Sequence, residues 1–599
     1  MPIYMPPTRD TRFVVKEVLG VGMEAGSPAF EAVDEDIVDA IIEESAKFSA
    51  EVIAPLNPNS DREGCTRHDD GSVTTPTGFP EAYAQYCESG WGTLALPEEF
   101  GGQGMPHVLA TVVEEYLNSA CHAFNMYPGL THGAVSAILA KGTDEQKTAY
   151  LPKLISGEWL GTMALTEAHC GTDLGLIRTK AVPQTDGSYS ITGSKIFISG
   201  GDQDLTENIV HLVLAKTPDA PAGSRGISLF LVPKSLLNDA GEPGERNGAH
   251  CGSIEEKMGV HGSATCVMNF DGATGYLVGE ENNGLAAMFI MMNAARLSCG
   301  NQGLGQAELA YQNAADYALD RKQGRAMGTR ADPASAADPI IVHADVRRML
   351  MDARGFTEGF RALVLWCSYQ IDISHGAETE EERVAADALV SMLTPVLKGF
   401  GTDRGFQTAV NMQQVLGGHG YVSEWGLEQC VRDARVAMIY EGANGVQAMD
   451  LAGRKLAGDK GQVAERYFAM IEGECSGASE SLSFLTEPLL EALADIREAA
   501  QWLIDNAKAD ANNLGSGSYP FMHMMGLVSI GLMWLRMATV AERGLESGEG
   551  DAAFYEAKLC VARNFALRGL AEMVSLKKQA MAGAETLMSL PAEAFEVKG

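Results

Sequence analysis

Hydrophobic positions along the chain recur at two different spacings, and the change between them divides it. From Asp34 to about Ser156 apolar residues fall three and four apart. In DEDIVDAIIEESAKFSAEVIAPLN an acidic first turn opens a helix, which Pro55 is expected to end. Beyond a glycine-rich loop at 90–104, HVLATVVEEYLNSACHAF and THGAVSAILAKGTDEQKTAYLPKLIS resume that spacing, so the stretch reads as an all-α block. Near Gly161 the pattern shortens. SYSITGSKIFISG, ENIVHLVLAKT, GISLFLVPK and ATCVMNFDG are β-branched or aromatic-rich and bounded by Gly, Asp, Asn or Pro, which predicts strands of an antiparallel sheet or barrel. From Gly284 long amphipathic helical patterns return, with a loop rich in Gly, Ala, Asp and Pro around 324–339. A last helical block follows, with CSGASE and NLGSGSYP expected as turns between helices. The expected division is an arm (1–34), an α domain (35–160), a β domain (161–283), a second α domain (284–459) and an extra helical domain (460–599).

Composition narrows the classes. A chain of 599 residues allows roughly three to five domains, and 46% hydrophobic with 21% charged residues is globular material with ample core. A formal net charge of -34 argues against nucleic acid and against an anionic membrane surface. The 11 cysteines are scattered with no CxxC pair, which reads as reduced thiols in a cytoplasmic compartment without structural zinc. MPIYMPPTRDTRF has no basic and apolar leader pattern, so no signal peptide is expected. The most apolar run, Phe521–Val540, is broken by His523, Ser529 and Arg536 and reads as a buried helix. GVGMEAG at Gly20–Gly26 reads as a plain turn, since no buried strand precedes it.

Four stretches hold candidate chemistry. In RDARVAMIYEGAN, Glu441 follows a largely apolar run and precedes Gly442. Desolvation there would raise a carboxyl pKa, as suits a general base, although a helix-end glutamate beside a glycine cap fits the same residues. Leu165-Thr166-Glu167-Ala168-His169-Cys170-Gly171-Thr172-Asp173 lies where the α block meets the β block. It offers N–H and hydroxyl groups to a flat ring, or merely caps the next element. Alternation along SKIFISG puts Phe197 and Ser199 on one face, as a ligand wall or as ordinary core. The glycines of QVLGGHGY permit close backbone approach to a ligand, or a tight helix end; His419 has no second metal-type ligand at a helpful spacing and reads as structural or solvent-facing.

The TE…GTD loop, ITGSKIFISG, KMGVHGSAT, YALDRKQG, QQVLGGHGY and RDARVAMIYEG occur in that order, and with them residues 35–455 resemble the flavin-dependent acyl-CoA dehydrogenases. The proline-led N-terminus and long C-terminal extension are most similar to the large subgroup that includes 3-methylmercaptopropionyl-CoA dehydrogenase. The resemblance implies an α+β multidomain fold: an N-terminal α-helical domain, a middle antiparallel β domain and a C-terminal four-helix bundle, here with an extra C-terminal helical domain. It implies FAD as cofactor and Glu441 as the base that takes the α-proton of an acyl-CoA thioester. Met163, Leu165, Thr166, Gly171 and Thr172 would lie along the flavin, with Thr172 also near the thioester. Phe197 and Ser199 would cover the isoalloxazine. Arg321, Gln323, Gln414 and Gly418 would hold the pyrophosphate and adenosine across a subunit interface. Arg296 would bind CoA, and Tyr440 the substrate beside Glu441.

The implied reaction is dehydrogenation of a short acyl-CoA, first 3-(methylthio)propanoyl-CoA from dimethylsulfoniopropionate breakdown, then short or medium fatty acyl-CoA. Electrons would pass to an electron-transfer flavoprotein; an acyl-CoA oxidase is the rival reading. The extra helices would cover the surface through which compact relatives pair into tetramers and leave a homodimer. Three stretches depart from the family pattern: RKQGR lacks the aromatic that packs on the adenosine, Ala443 and Gly445 follow the glutamate where many relatives have Thr and Gln, and His261 stands where arginine is common.

Overall fold

Pro55 does not stop the first long helix. In the computed structural model, α1 (Glu35–Phe48) continues through a π turn at Ser49–Ile53 and a 3-10 turn at Ala54–Leu56 into Asn57–Glu63, and Gly64, with φ 64°, ends the run. Pro55 and Pro58 each sit within the first two positions of a new turn, where a missing N–H costs nothing. The structure describes residues 2–23, 27–31, 33–328, 333–548 and 550–597. It divides into two compact units, one built on Ala40–Ser298 and the other on Pro7–Asp39 with residues from Cys299 on.

In the first unit α2 (Phe79–Glu88), α3 (His107–Lys141) and α4 (Asp144–Ile155) form the helical part. α3 breaks helical geometry once, at Cys121, and Thr143 with Gln146 makes a reciprocal cap at the start of α4. The block is not purely helical. Thr66–Arg67 and Val73–Thr74 pair as a small hairpin, its strands too short to show a period.

The sheet comprises β1 (Trp159–Ala164), β2 (Lys180–Pro183), β3 (Tyr189–Ser199), β4 (Asn208–Ala215), β5 (Ser228–Pro233), β6 (Ala249–Ile254) and β7 (Thr265–Val278). Its order is β1-β4-β5-β7-β3-β2, with β6 also on β7. Every pairing is antiparallel except β1 with β4, which is parallel. β1, β4 and β5 are buried along their whole length, hence their continuous apolar runs. α3 lies close on β1: a Cβ on Gly161 would stand 2.6 Å from Ala134. Trp159, Leu212, Leu214, Leu229 and Leu231 pack there with Ile138, Leu151 and Leu154.

The second unit is helical. α5 (Gly284–Asp320) enters it at Cys299, and α6 (Ala344–Gly376) and α7 (Glu380–Val415) are its other long bundle helices. The fourth bundle member is made of two short pieces, α8 (Leu427–Ala437) and α9 (Asn444–Met449). α10 (Gln462–Gly477), α11 (Ser483–Asn506), α12 (Ala511–Ser547), α13 (Ala552–Asn564) and α14 (Met573–Ala580) form the C-terminal extension. CSGASE ends α10 as expected, but NLGSGSYP lies inside α12. Its small residues serve packing instead of turning the chain: a Cβ on Gly517 would meet the Ala580 carbonyl at 2.4 Å.

α12 lies against α6 and α7. Trp534 Nε1 donates to the Gly355 carbonyl at 2.9 Å, and a Cβ on Gly526 would stand 2.3 Å from the Phe400 ring. α7 and α12 are long and apolar enough to cross a membrane, but 61% and 83% of their most apolar windows are buried inside the fold. The N-terminal arm is anchored in the same unit. Phe13 is fully buried against Phe554, and Asp10 meets Arg361 and Lys558 in a buried ion cluster. Gly20 and Gly22 take positive φ as in a turn; Glu24–Gly26 and, in the later loop, 329–332 lie outside the described residues. All eleven cysteines are free.

Candidate active site

On the sheet, the loop after β1 is tied to β3 by one buried charge pair. Lys195 is 0% exposed, and its ammonium donates to Glu167 Oε1 at 3.0 Å and to the Leu165 carbonyl at 2.9 Å. Glu167 also accepts from the N–H groups of Arg178 and Thr179 and from the Thr179 hydroxyl. Burial pushes this carboxyl up, but Lys195 and the three donors outweigh it and hold the pKa at about 2. On the lysine burial prevails over the single carboxylate, so its pKa is lowered. Glu167, His169 and Cys170 place possible metal ligands within 4.8 Å of one another. The carboxylate's engagement with Lys195 makes that cluster structural.

The tether decides what faces out. β3 carries a bulge where residues 196 and 197 oppose Val267 alone, and Phe197 takes φ 60°. Without the bulge, alternation would put Lys195, Phe197 and Ser199 on one face. With it, Lys195 and Ile198 point inward while Phe197 is 60% exposed and Ser199 half-buried. The Ile196 N–H donates to the Thr166 carbonyl at 2.9 Å, which brings Thr166 beside Phe197. Gly171 follows closely, since a Cβ there would touch the Thr166 methyl at 3.4 Å. Thr172 is exposed, whereas Met163 and Leu165 are core residues, each 8% exposed. Arg296 is 7% exposed, with its guanidinium donating to Asn293 Oδ1. His261 receives the chain turn around it through the Lys257 and Asp61 carbonyls, each 2.8 Å from a ring nitrogen.

In the helical unit Glu441 stands between α8 and α9 with φ 55°, and Gly442 follows at φ 90°. A left-handed backbone at a residue with a long side chain is costly and persists only where its surroundings fix it. Three contacts fix it here. The Asn444 N–H donates to the Met438 carbonyl, and the buried amide of Gln447 donates to the carbonyls of Glu441 and Gly442 at 3.2 and 3.3 Å. The Asn444 side chain accepts from Lys398 Nζ at 2.8 Å and donates to Gly399, Thr402 and Asp403. The Tyr440 hydroxyl donates to Gln302. Glu424 and Glu428 lie outside this turn, and Glu428 is spent on Arg432.

Tyr317, one turn before Arg321, bonds His419 Nδ1 at 3.0 Å, and His419 stacks on Trp425 at 4.6 Å. That joins the C-terminal end of α5, which Arg321 and Gln323 follow, to the turn after α7; Gln414, in the last turn of α7, and Gly418 are exposed. His419 is therefore structural. In the first unit Phe197 offers an exposed aromatic face beside hydroxyl groups, which suits a flat ring. In the second, Gly417 and Gly418 have nothing within 4 Å of a Cβ, which leaves room for close backbone approach by a ligand. Sequence reading missed Lys195, Lys398, Asp403 and Gln447; a lysine set among apolar residues, as in TPVLKGF, is the signal that marks such sites.

Comparison with known proteins returns four matching family models: acyl-CoA dehydrogenase N-terminal domain over 38–158, middle domain over 162–273 and C-terminal domain over 282–456, and acetyl-CoA dehydrogenase C-terminal like over 467–591. The chain is 44% identical to the 3-methylmercaptopropionyl-CoA dehydrogenase of Ruegeria pomeroyi, across 95% of this chain and 96% of that one. It is 34% identical to the broad-specificity linear acyl-CoA dehydrogenase FadE5 of Mycobacterium tuberculosis, across 99% and 100%. A Bacillus anthracis acyl-CoA dehydrogenase solved with FAD shares the fold at TM-score 0.73 and 21% identity, across 92% and 89%.

Proposed function

The chain belongs to the acyl-CoA dehydrogenase family of FAD-dependent oxidoreductases, and from that premise we propose that Glu441 takes the α-proton of a short acyl-CoA. The observation that carries the assignment is the strained turn at Glu441, whose backbone Gln447 and Asn444 hold at the point from which the carboxylate projects. An α-C–H beside a thioester is too weak an acid for an unaided carboxylate. In this reading the main-chain N–H of Glu441 donates to the thioester oxygen, an interaction that strengthens as enolate charge develops. FAD, when bound, would supply the redox chemistry, as an acceptor for the β-hydrogen and its electron pair. Phe197, Thr166 and Ser199 would hold the flavin end, and Arg321, Gln323, Gln414 and Gly418 the phosphate and adenosine end across a subunit interface, with Arg296, Thr172 and Tyr440 on the substrate.

The substrate we propose is 3-(methylthio)propanoyl-CoA, converted to 3-(methylthio)acryloyl-CoA in the cytoplasm, with electrons passing to an electron-transfer flavoprotein. Support comes from the near full-length likeness to the Ruegeria pomeroyi dehydrogenase. A thioether sulfur fills about the space of a methylene, so linear fatty acyl-CoAs are the competing substrates, as the likeness to FadE5 also suggests. Anaerobic titration with this thioester and with butyryl- to octanoyl-CoA tests the choice through flavin absorbance. Bleaching that favours the sulfur compound supports the proposal; preference for a longer chain discards this substrate and keeps the reaction. Glu441→Gln is expected to keep FAD and lose bleaching, and full bleaching in that variant moves the base elsewhere.

A further inference from the structure

The C-terminal extension reaches the turn that carries Glu441 through a chain of polar contacts, buried at Asn444 and part-buried at Tyr519 and His523. Asn444, three residues after Glu441, is 5% exposed and donates to Asp403 Oδ1 at 2.8 Å. The other oxygen of Asp403 accepts from the Tyr519 hydroxyl and lies 3.0 Å from His523 Nε2. Both residues belong to α12, four positions apart on one face. A second link runs in parallel. The Gly399 carbonyl accepts from Asn444 at 3.0 Å, and Met522 packs so closely on Gly399 that a Cβ there would stand 2.3 Å from its sulfur. Burial pushes the Asp403 carboxyl up, but bonds from His523, Tyr519 and Asn444 outweigh it and keep it below the usual carboxylate range. The ionised acceptor makes each of these bonds a strong one.

We propose that Tyr519 and His523 are positioning residues for the reaction: through Asp403 and Asn444 they lock the start of α9, and with it the backbone of Glu441. The extension thus sets the catalytic carboxylate as well as covering the bundle. This rests on the reading of Glu441 as base. A loosened turn displaces the carboxylate from the α-proton, and small misplacements of a reacting group are expensive in rate. FAD and the CoA portion are held by other residues, and the Glu441 N–H contact to the thioester strengthens chiefly as enolate charge develops, so the rate falls much more than either affinity.

The test uses the full-length holoenzyme with 3-(methylthio)propanoyl-CoA and octanoyl-CoA. Tyr519→Phe/His523→Ala is expected to slow flavin bleaching at saturating thioester about tenfold, with half-saturation within about twofold of the parent and FAD content unchanged. Tyr519→Phe/His523→Gln, which restores an N–H donor towards Asp403, is expected to recover most of the rate. Parental bleaching in the alanine variant, with only its Tm lowered, overturns the proposal, as does failure of glutamine to rescue. If the double variant does not yield holoenzyme, Tyr519→Phe alone decides, since it removes only a hydroxyl from a side chain 42% exposed; about threefold slower bleaching is expected, and an unchanged rate overturns the proposal. Glu441→Gln runs alongside. Bleaching in it refutes the base itself, whereas its silence beside full-rate brace variants refutes only the brace.

Discussion

Glu441 and Phe197, which come from different units, are two of the five non-glycine residues with positive φ among the described residues. Each such backbone costs about 1–2 kcal/mol, which neighbouring contacts must offset. At Phe197 the bulge supports the strain and leaves the ring 60% exposed. Phe197→Ala is therefore expected to cost little stability and to weaken FAD about three- to tenfold, the worth of one aromatic contact, read from flavin release on dilution. Glu167 is the reverse case, buried and fully bonded. Its pKa of about 2 lies below its value when unfolded, so its stabilisation is complete above about pH 4.5 and is lost as pH falls towards 2. The lowered pKa of its partner Lys195 offsets part of that gain at neutral pH. Glu167→Gln is expected to flatten the acid limb of a Tm–pH curve. Glu167→Ala leaves Lys195 buried without its carboxylate and is expected to cost about 3–5 kcal/mol in denaturant unfolding.

Helices of the second unit approach at glycines. A Cβ on Gly401 of α7 would stand 2.1 Å from the Phe360 ring of α6, and one on Gly359 of α6 would stand 2.6 Å from Trp534 Nε1 of α12. In an exposed helix Gly→Ala gains about 1 kcal/mol, but overpacking a core costs about 1–3 kcal/mol. Contact against rings this close wins, so Gly359→Ala and Gly401→Ala are both expected to lower Tm. A rise in Tm would show that the helices can part. The same logic explains NLGSGSYP, where Gly517 admits the Ala580 carbonyl against α12.

At the scale of the molecule the extension covers one side of the bundle. Trp534, Gly526 and Met522 of α12 meet Gly355, Phe400 and Gly399, and these residues are buried. A face covered in this way is not open for a second dimer to pair through, which supports the proposal of a homodimer. Light scattering is expected to give the mass of two chains, and a mass near four removes the idea. The charge of -34 favours solubility of such an assembly.

The sequence by itself determined the element types, because burial of one helix face or of a whole strand writes its period into the residues. It also carried the family, since RDARVAMIYEG, ITGSKIFISG and the TE…GTD loop stand in order. Tertiary structure alone decided three things. Pro55 and the glycines of α12 were legible only as breakers, because whether a proline opens a new turn or a glycine admits a neighbour depends on distant packing. The bulge in β3 was invisible, since it breaks the alternation that the residues alone suggest and turns Lys195 inward onto Glu167, a partner 28 residues away. The setting of Glu441 was the third: Lys398, Asp403, Asn444, Tyr519 and His523 lie as far as 125 residues apart, and only the folded chain brings their hydrogen bonds together.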